Sequence, residues 1–205
     1  MKYCLNSGVV SANAIAIGAL LVITGSAHAQ TLSGAALVNA LRQGGYVIVM
    51  RHASSPREAP DKQAANADNV NLERQLDDAG RGGSVAMGRA FHDLKVPIGD
   101  VLISPTYRAL ETVRLADLAN PRPYAELGDG GQSMQGATDA QAVWLREHVT
   151  HLPAGTNTII VTHMPNISRA FPAWDPVADG ESVVVGAGGR VVGRIKIEEW
   201  PRLKQ

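Results

Sequence analysis

The chain has 205 residues, of which 45% are hydrophobic and 19% charged, enough apolar side chain for the core of one ordinary globular domain. Lys and Arg together number 19, as do Asp and Glu, which excludes capture of nucleic acid or of an anionic membrane by bulk charge, since either needs a basic excess. A local cluster of cations is compatible with that balance.

Residues 1–29 read as an export signal and not as part of the fold. Lys2 gives a positive start, and "AIAIGALLVITG" (14–25) is an apolar stretch too short for a comfortable membrane span. "AHA" (27–29) then supplies the small-x-small pattern that signal peptidase accepts before Gln30. An uncleaved anchor would continue apolar where this segment closes in small residues. Cys4, the only cysteine, departs with the signal and does not stand at the cleavage point, where a lipoprotein cysteine would. The expected mature chain, 30–205, is one periplasmic or secreted domain with no membrane attachment after cleavage, no disulfide and no thiol chemistry.

From Thr31 onward helices and strands alternate. "LSGAALVNALRQGG" places Leu32, Ala36, Leu37, Ala40 and Leu41 on one helical face and stops at Gly44 and Gly45. "YVIVM" is a continuous apolar run, as expected of a strand covered on both sides. A long polar segment (53–77) follows, of the kind that is usually functional in a compact domain. "DDAGRGGSVAMGRAFHDLKV" predicts a helix despite its glycines. "DVLIS" (100–104) predicts a second buried strand, and "PTYRALETVRLADLA" a helix with Pro105 in its first turn. A turn-rich stretch (120–136) leads to a helix around "DAQAVWLREHV". "NTIIVTH" (157–163) predicts a third buried strand, and "ESVVVGA" with "RVVGRIKIE", separated by Gly188 and Gly189, a terminal hairpin. The order implies an α/β fold, three layers α/β/α around a mostly parallel sheet.

Ligands of open α/β sheets bind beyond the carboxyl ends of the strands. Arg51 and His52 follow the first strand, "SPTYR" with Arg108 the second, and His163 ends the third. Convergence of two guanidiniums and two imidazoles suits a phosphoryl group: the arginines match its oxygens bidentately, and a neutral imidazole is a competent nucleophile. Fixed cations would also neutralise the charge that develops during transfer.

"MRHASS", "ISPTYRALETV" and "VTHMPN" resemble, in order and spacing, the histidine phosphatase superfamily, also called phosphoglycerate mutase-like, and the likeness extends to "NLERQLDDAGR" before the first long helix. The resemblance implies a metal-independent phosphomonoesterase without cofactor, acting on a phosphorylated small molecule or macromolecule. It implies that His52 becomes a phosphohistidine and that Arg51, Arg108 and His163 line the phosphate pocket, with Arg57 as a further loop cation. An acid must protonate the leaving oxygen. Many members carry it in the segment after the "SPxxR" helix, which makes Glu126 the first candidate and Asp129 the second; Glu181, opening a strand, is a third. Members of the acid-phosphatase branch have an acid directly after the second histidine, where this chain has Met164.

Two departures qualify the likeness. Ala53 replaces the usual glycine after "RH", and Ser54 and Glu58 stand where the mutase signature differs, which favours hydrolysis over a phosphomutase reaction. A non-catalytic phosphate- or phosphosugar-binding protein of the same fold is the alternative from another class. "EHVTH" sets His148 and His151 near a helix end, but the glutamate precedes both, unlike the zinc-protease order, so no metal site is expected. "GRGGSVAMG" follows no strand and lacks the lysine-hydroxyl end of a phosphate-binding loop. His92, Trp144, Trp174 and Trp200 are expected to serve packing or surface. A histidine nucleophile also implies a rate that falls in acid, as its lone pair is protonated.

Overall fold

The computed structural model describes Met1 and residues 31–129 and 136–203; apart from Met1, the expected export signal, Cys4 included, lies outside them. The elements in chain order are α1 (Gly34–Gln43), β1 (Tyr46–Arg51), α2 (Asp78–Asp93), β2 (Ile98–Ile103), α3 (Tyr107–Leu115), β3 (Pro121–Pro123), α4 (Asp139–His148), β4 (Asn157–Thr162), α5 (Met164–Ala170), β5 (Ser182–Gly186) and β6 (Arg190–Ile195). The strands form one sheet of six in the order β3-β2-β4-β1-β5-β6. β1, β2, β3 and β4 run parallel to one another, while β5 runs antiparallel to β1 and β6 antiparallel to β5.

The alternation of side chains along β1 sorts the molecule into layers. Ile48 and Met50 enter one core with Leu37 and Leu41 of α1, Met87 and Phe91 of α2 and Val113 of α3. Val47 and Val49 enter the other with Leu145 of α4 and Ile167 of α5. Strands β1 and β4 are apolar through their centres because both of their faces are covered, which is what makes a parallel sheet read as an unbroken hydrophobic run. The layered α/β/α fold expected from the sequence is the one observed, and the terminal hairpin is β5–β6.

Three details differ. Pro105 lies before the first turn of α3, whose N-cap is Thr106. The short strand β3 pairs with Val101–Ile103, inside what reads as turn; its "PRP" has no apolar pattern to reveal it. Helix α5 starts immediately after His163, with Pro165 in its opening turn, and is too short for periodicity to expose.

Helix α2 explains its own glycines. Gly80 passes so close to the long loop that a Cβ there would lie 2.1 Å from the Ser54 carbonyl oxygen, and at Gly88 it would lie 2.1 Å from the Ala116 carbonyl oxygen. Asp77, the N-cap, accepts from Gly80 N at 2.7 Å and from Ser54 Oγ at 2.7 Å, so one carboxylate starts the helix and anchors the residues after His52. Gly82, by contrast, faces open space. Gly88→Ala should therefore destabilise by about 1–3 kcal/mol through overpacking, whereas Gly82→Ala should stabilise by up to about 1 kcal/mol. Urea unfolding of the two variants checks the opposite signs.

Candidate active site

The register of the parallel strands builds the site. Arg51 pairs with Thr162 and Ile103 with Val161. One residue further on, His52 N donates to Thr162 O at 3.0 Å and Ser104 N to Val161 O at 2.9 Å. His52, His163 and Ser104 thus stand side by side at the carboxyl edge. Both imidazoles are buried, 3% and 1% exposed, with ring centroids 5.1 Å apart and planes at 59°.

Arg108, also buried, joins them. Its Nε donates to His52 Nε2 at 3.1 Å and its Nη2 to His163 Nδ1 at 3.0 Å. His52 Nδ1 lies 2.7 Å from the Ala53 carbonyl oxygen, which assigns the proton to Nδ1 and the lone pair to Nε2. His163 is the opposite tautomer: with Nδ1 accepting from Arg108, Nε2–H donates to Ser104 Oγ at 2.8 Å. Helix α3 fixes this arrangement from behind, since Thr112 Oγ1 donates to Arg108 O at 2.8 Å and accepts from Ala53 N at 3.1 Å. Burial, and then the nearby cations Arg108, Arg51 and Arg74, lower the His52 pKa from 6.5 to about 3, against the opposing pull of the Ala53 carbonyl. His163 is likewise held well below its usual range, by burial first and Arg108 next. Both rings are neutral at pH 7, and Nε2 of His52 is unprotonated, its electron pair accepting from Arg108 Nε in a cationic surround.

The other expected residues divide. Arg51 is tied at the rim, its Nη1 donating to Val177 O at 3.0 Å and its Nη2 2.6 Å from Asp179 Oδ1. Arg57 is exposed, and no contact joins it to the histidines. The loop cation whose charge bears on both histidines is Arg74, and its Nη2 donates to Ser55 O at 3.0 Å. Sequence reasoning passed over it, although it sits within "NLERQLDDAGR". Arg57 is nearer to His52 along the chain, but the loop doubles back: Ser55 Oγ donates to Gln75 O at 2.9 Å. The loop is then strapped to α3, as Glu111 accepts from Asn66 Nδ2 at 3.0 Å and from Leu76 N at 2.9 Å.

Among the acid candidates the geometry favours Asp129 over Glu126. The 3-10 turn Ala125–Leu127 is pinned by Thr162 Oγ1, which donates to Leu127 O at 2.8 Å, and by Asn166 Nδ2, which donates to Glu126 O at 3.1 Å. That turn presents residue 129 to the site. Asp129 Oδ2 meets Arg108 Nη2 and lies 3.8 Å from His163 Nδ1, whereas no contact joins the Glu126 carboxylate to the histidines or arginines. Glu181 is committed elsewhere, pairing with Arg194 Nε at 2.7 Å and accepting from Ala178 N at 2.8 Å. Ala53, which stands in place of the usual glycine, is buried within the core on the α1–α3 side. Among the described residues no group of three His, Cys, Asp or Glu side chains could hold a metal ion, and His148 stacks on Trp144 with centroids 3.5 Å apart.

No family model matches this sequence, and no curated protein does. Solved structures do match the fold. The protein histidine phosphatase SixA complexed with tungstate superposes with a TM-score of 0.51 at 19% identity, covering 75% of this chain and 98% of that one. The putative phosphohistidine phosphatase SixA from Agrobacterium tumefaciens gives 0.54 at 16% identity over 74% and 98% of the two chains. A third structure, from Thermus thermophilus, gives 0.51 at 18% identity over 74% and 99%. The chain therefore has the histidine phosphatase fold, as the sequence motifs implied.

The depressed histidines set a pH signature. Unfolded, His52 titrates near 6.5 and folded near 3, so in that window the unfolded chain binds the extra proton. Stability is fully present above the window and should fall by roughly 1.4 kcal/mol per pH unit for this group as pH drops through it. Urea midpoints measured from pH 7 to pH 4 should decline, and His52→Gln should flatten the slope.

Proposed function

We propose that this protein is an exported, metal-independent phosphomonoesterase that works through a phosphohistidine on His52. The observation that carries the reading is the neutral His52 Nε2, unprotonated and 3.1 Å from the Arg108 guanidinium. A tetrahedral phosphoryl group entering beside Arg108 takes over the guanidinium N–H groups from the Asp129 carboxylate and from His52 Nε2, which releases that lone pair to meet phosphorus. Attack forms the N–P bond and breaks the P–O bond, with Arg108 and Arg74 offsetting the charge on the equatorial oxygens. Asp129, released from Arg108 and beside His163, takes up the proton carried by the entering phosphate monoester monoanion, gives it to the leaving oxygen as the P–O bond breaks, and later removes a proton from the water that hydrolyses the N–P bond. His163, fixed by Ser104, contacts the transferring group from the adjacent strand. The SixA complex that shares this fold holds tungstate, an oxyanion of similar shape to phosphate. A phosphorylated envelope sugar is one candidate ester substrate; a phosphohistidine protein is another candidate, for which the same attack breaks an N–P bond in place of P–O.

Phosphate release from an aryl phosphate should vanish in His52→Ala; binding of the ester without release in the wild type would identify a phosphate-binding protein instead. Asp129→Asn should lower kcat by about 10²-fold or more on an alkyl phosphate, where the leaving oxygen needs a proton, and far less on an activated aryl phosphate. Glu126→Gln should leave both rates near wild type. Equal losses on the two esters would remove Asp129 from the acid role. For export, N-terminal sequencing of the secreted or periplasmic protein should begin at Gln30.

A further inference from the structure

The cleft holds more carboxylate than a phosphate site requires. Arg108 faces Asp129, and Arg51 faces Asp179, whose Oδ1 lies 2.6 Å from Arg51 Nη2. Arg74 is within electrostatic reach of both pairs. With the two imidazoles neutral, the charges that meet at the site among the described residues include the guanidiniums of Arg51, Arg74 and Arg108 and the carboxylates of Asp129 and Asp179.

Asp179 sits on a stretch of backbone that is bonded to the neighbouring strands. Gly180 N donates to His52 O at 2.9 Å and Arg51 N to Glu181 O at 3.1 Å, so the backbone on its C-terminal side is bonded to the tip of β1. Glu181 accepts from Ala178 N, and Arg194 pairs with Glu181 while donating to Trp174 O at 3.0 Å and Pro176 O at 2.7 Å. Residues 174–181 are thereby stapled to β1 and β6. The Asp179 side chain is 35% exposed, a fixed negative charge at the mouth, next to the residue that precedes the nucleophile.

A phosphoryl group can exchange with Asp129 on Arg108. A second anion on the same substrate, close to the ester, finds Arg51 already neutralised and a carboxylate beside it. We infer that Asp179 determines specificity, selecting phosphoryl esters whose carrier is neutral or cationic near the ester and rejecting carriers with a neighbouring carboxylate or second phosphate. This rests on the phosphatase reading and narrows its substrate class.

The test uses phenyl phosphates of matched leaving-group acidity that bear a carboxylate, a neutral amide or an ammonium group. In the wild type kcat/KM for the carboxylate ester should fall about tenfold below that for the amide at low salt, the size of one like-charge contact across a partly wet cleft, and the gap should shrink at about 0.5 M salt. Asp179→Asn should bring the two esters within about twofold of each other, and Asp179→Glu should restore the gap. The ratio within each variant is the readout, so a general loss from unlatching Arg51 does not obscure it. Equal kcat/KM for the three esters in the wild type, or a gap that survives Asp179→Asn, overturns the inference. Should no ester be hydrolysed, the phosphatase reading fails by itself; calorimetric affinities for the same three esters then decide, the amide and ammonium esters binding more tightly than the carboxylate if the inference holds, and no such order, or no binding, overturning it.

Discussion

The site depends on one guanidinium placed between two neutral imidazoles. Arg108 donates to Nε2 of His52 and to Nδ1 of His163, and each of those nitrogens can accept only because it carries no proton. Burial makes this self-consistent. An imidazolium in the same place would meet Arg108 at hydrogen-bond distance with no lone pair to offer it, so burial and the cations keep both rings unprotonated. Everything around the trio maintains that arrangement: the Ala53 carbonyl sets one tautomer, Ser104 the other, and Thr112 fixes the backbone behind both Arg108 and Ala53. The proposed phosphoryl transfer uses the same electron pair, once an entering substrate draws the Arg108 N–H away from it.

The surrounding architecture brings distant pieces of chain to that trio with little freedom. Strand register sets His52 beside His163, because β1 and β4 are adjacent and paired residue for residue up to Arg51 and Thr162. Glu111 holds the long polar loop, and Arg194 holds the segment that carries Asp179. These are buried or half-buried polar networks, and their worth lies in fixing one geometry more than in net stability. Arg51 illustrates the cost, as its Nε is buried with no hydrogen-bond partner among the described residues.

Much of this was legible in the sequence. The layered α/β fold followed from apolar runs alternating with amphipathic stretches. The core of the site followed from three strand ends that carried "RH", "SPTYR" and "TH". Each of those signals is local: a strand, a fixed offset and a polar residue at its tip. Local signals did not distinguish Arg74 from Arg57, because the loop folds back on itself through Ser55 and Gln75. Nor did they rank Asp129 above Glu126, since the orientation of that segment is set by Thr162 and Asn166, from β4 and α5. Asp179 carried no signal at all; its meaning comes from its pairing with Arg51 across the chain.

The most direct measurement of the central claim is chemical trapping of the intermediate. The protein is mixed with a phosphoryl-labelled aryl ester, quenched in alkali during turnover, digested and mapped. The mechanism predicts label on the peptide carrying His52, stable to base and lost in acid, as an N–P bond requires. Hydrolysis proceeding with no labelled histidine, or with the label on another side chain, would contradict it.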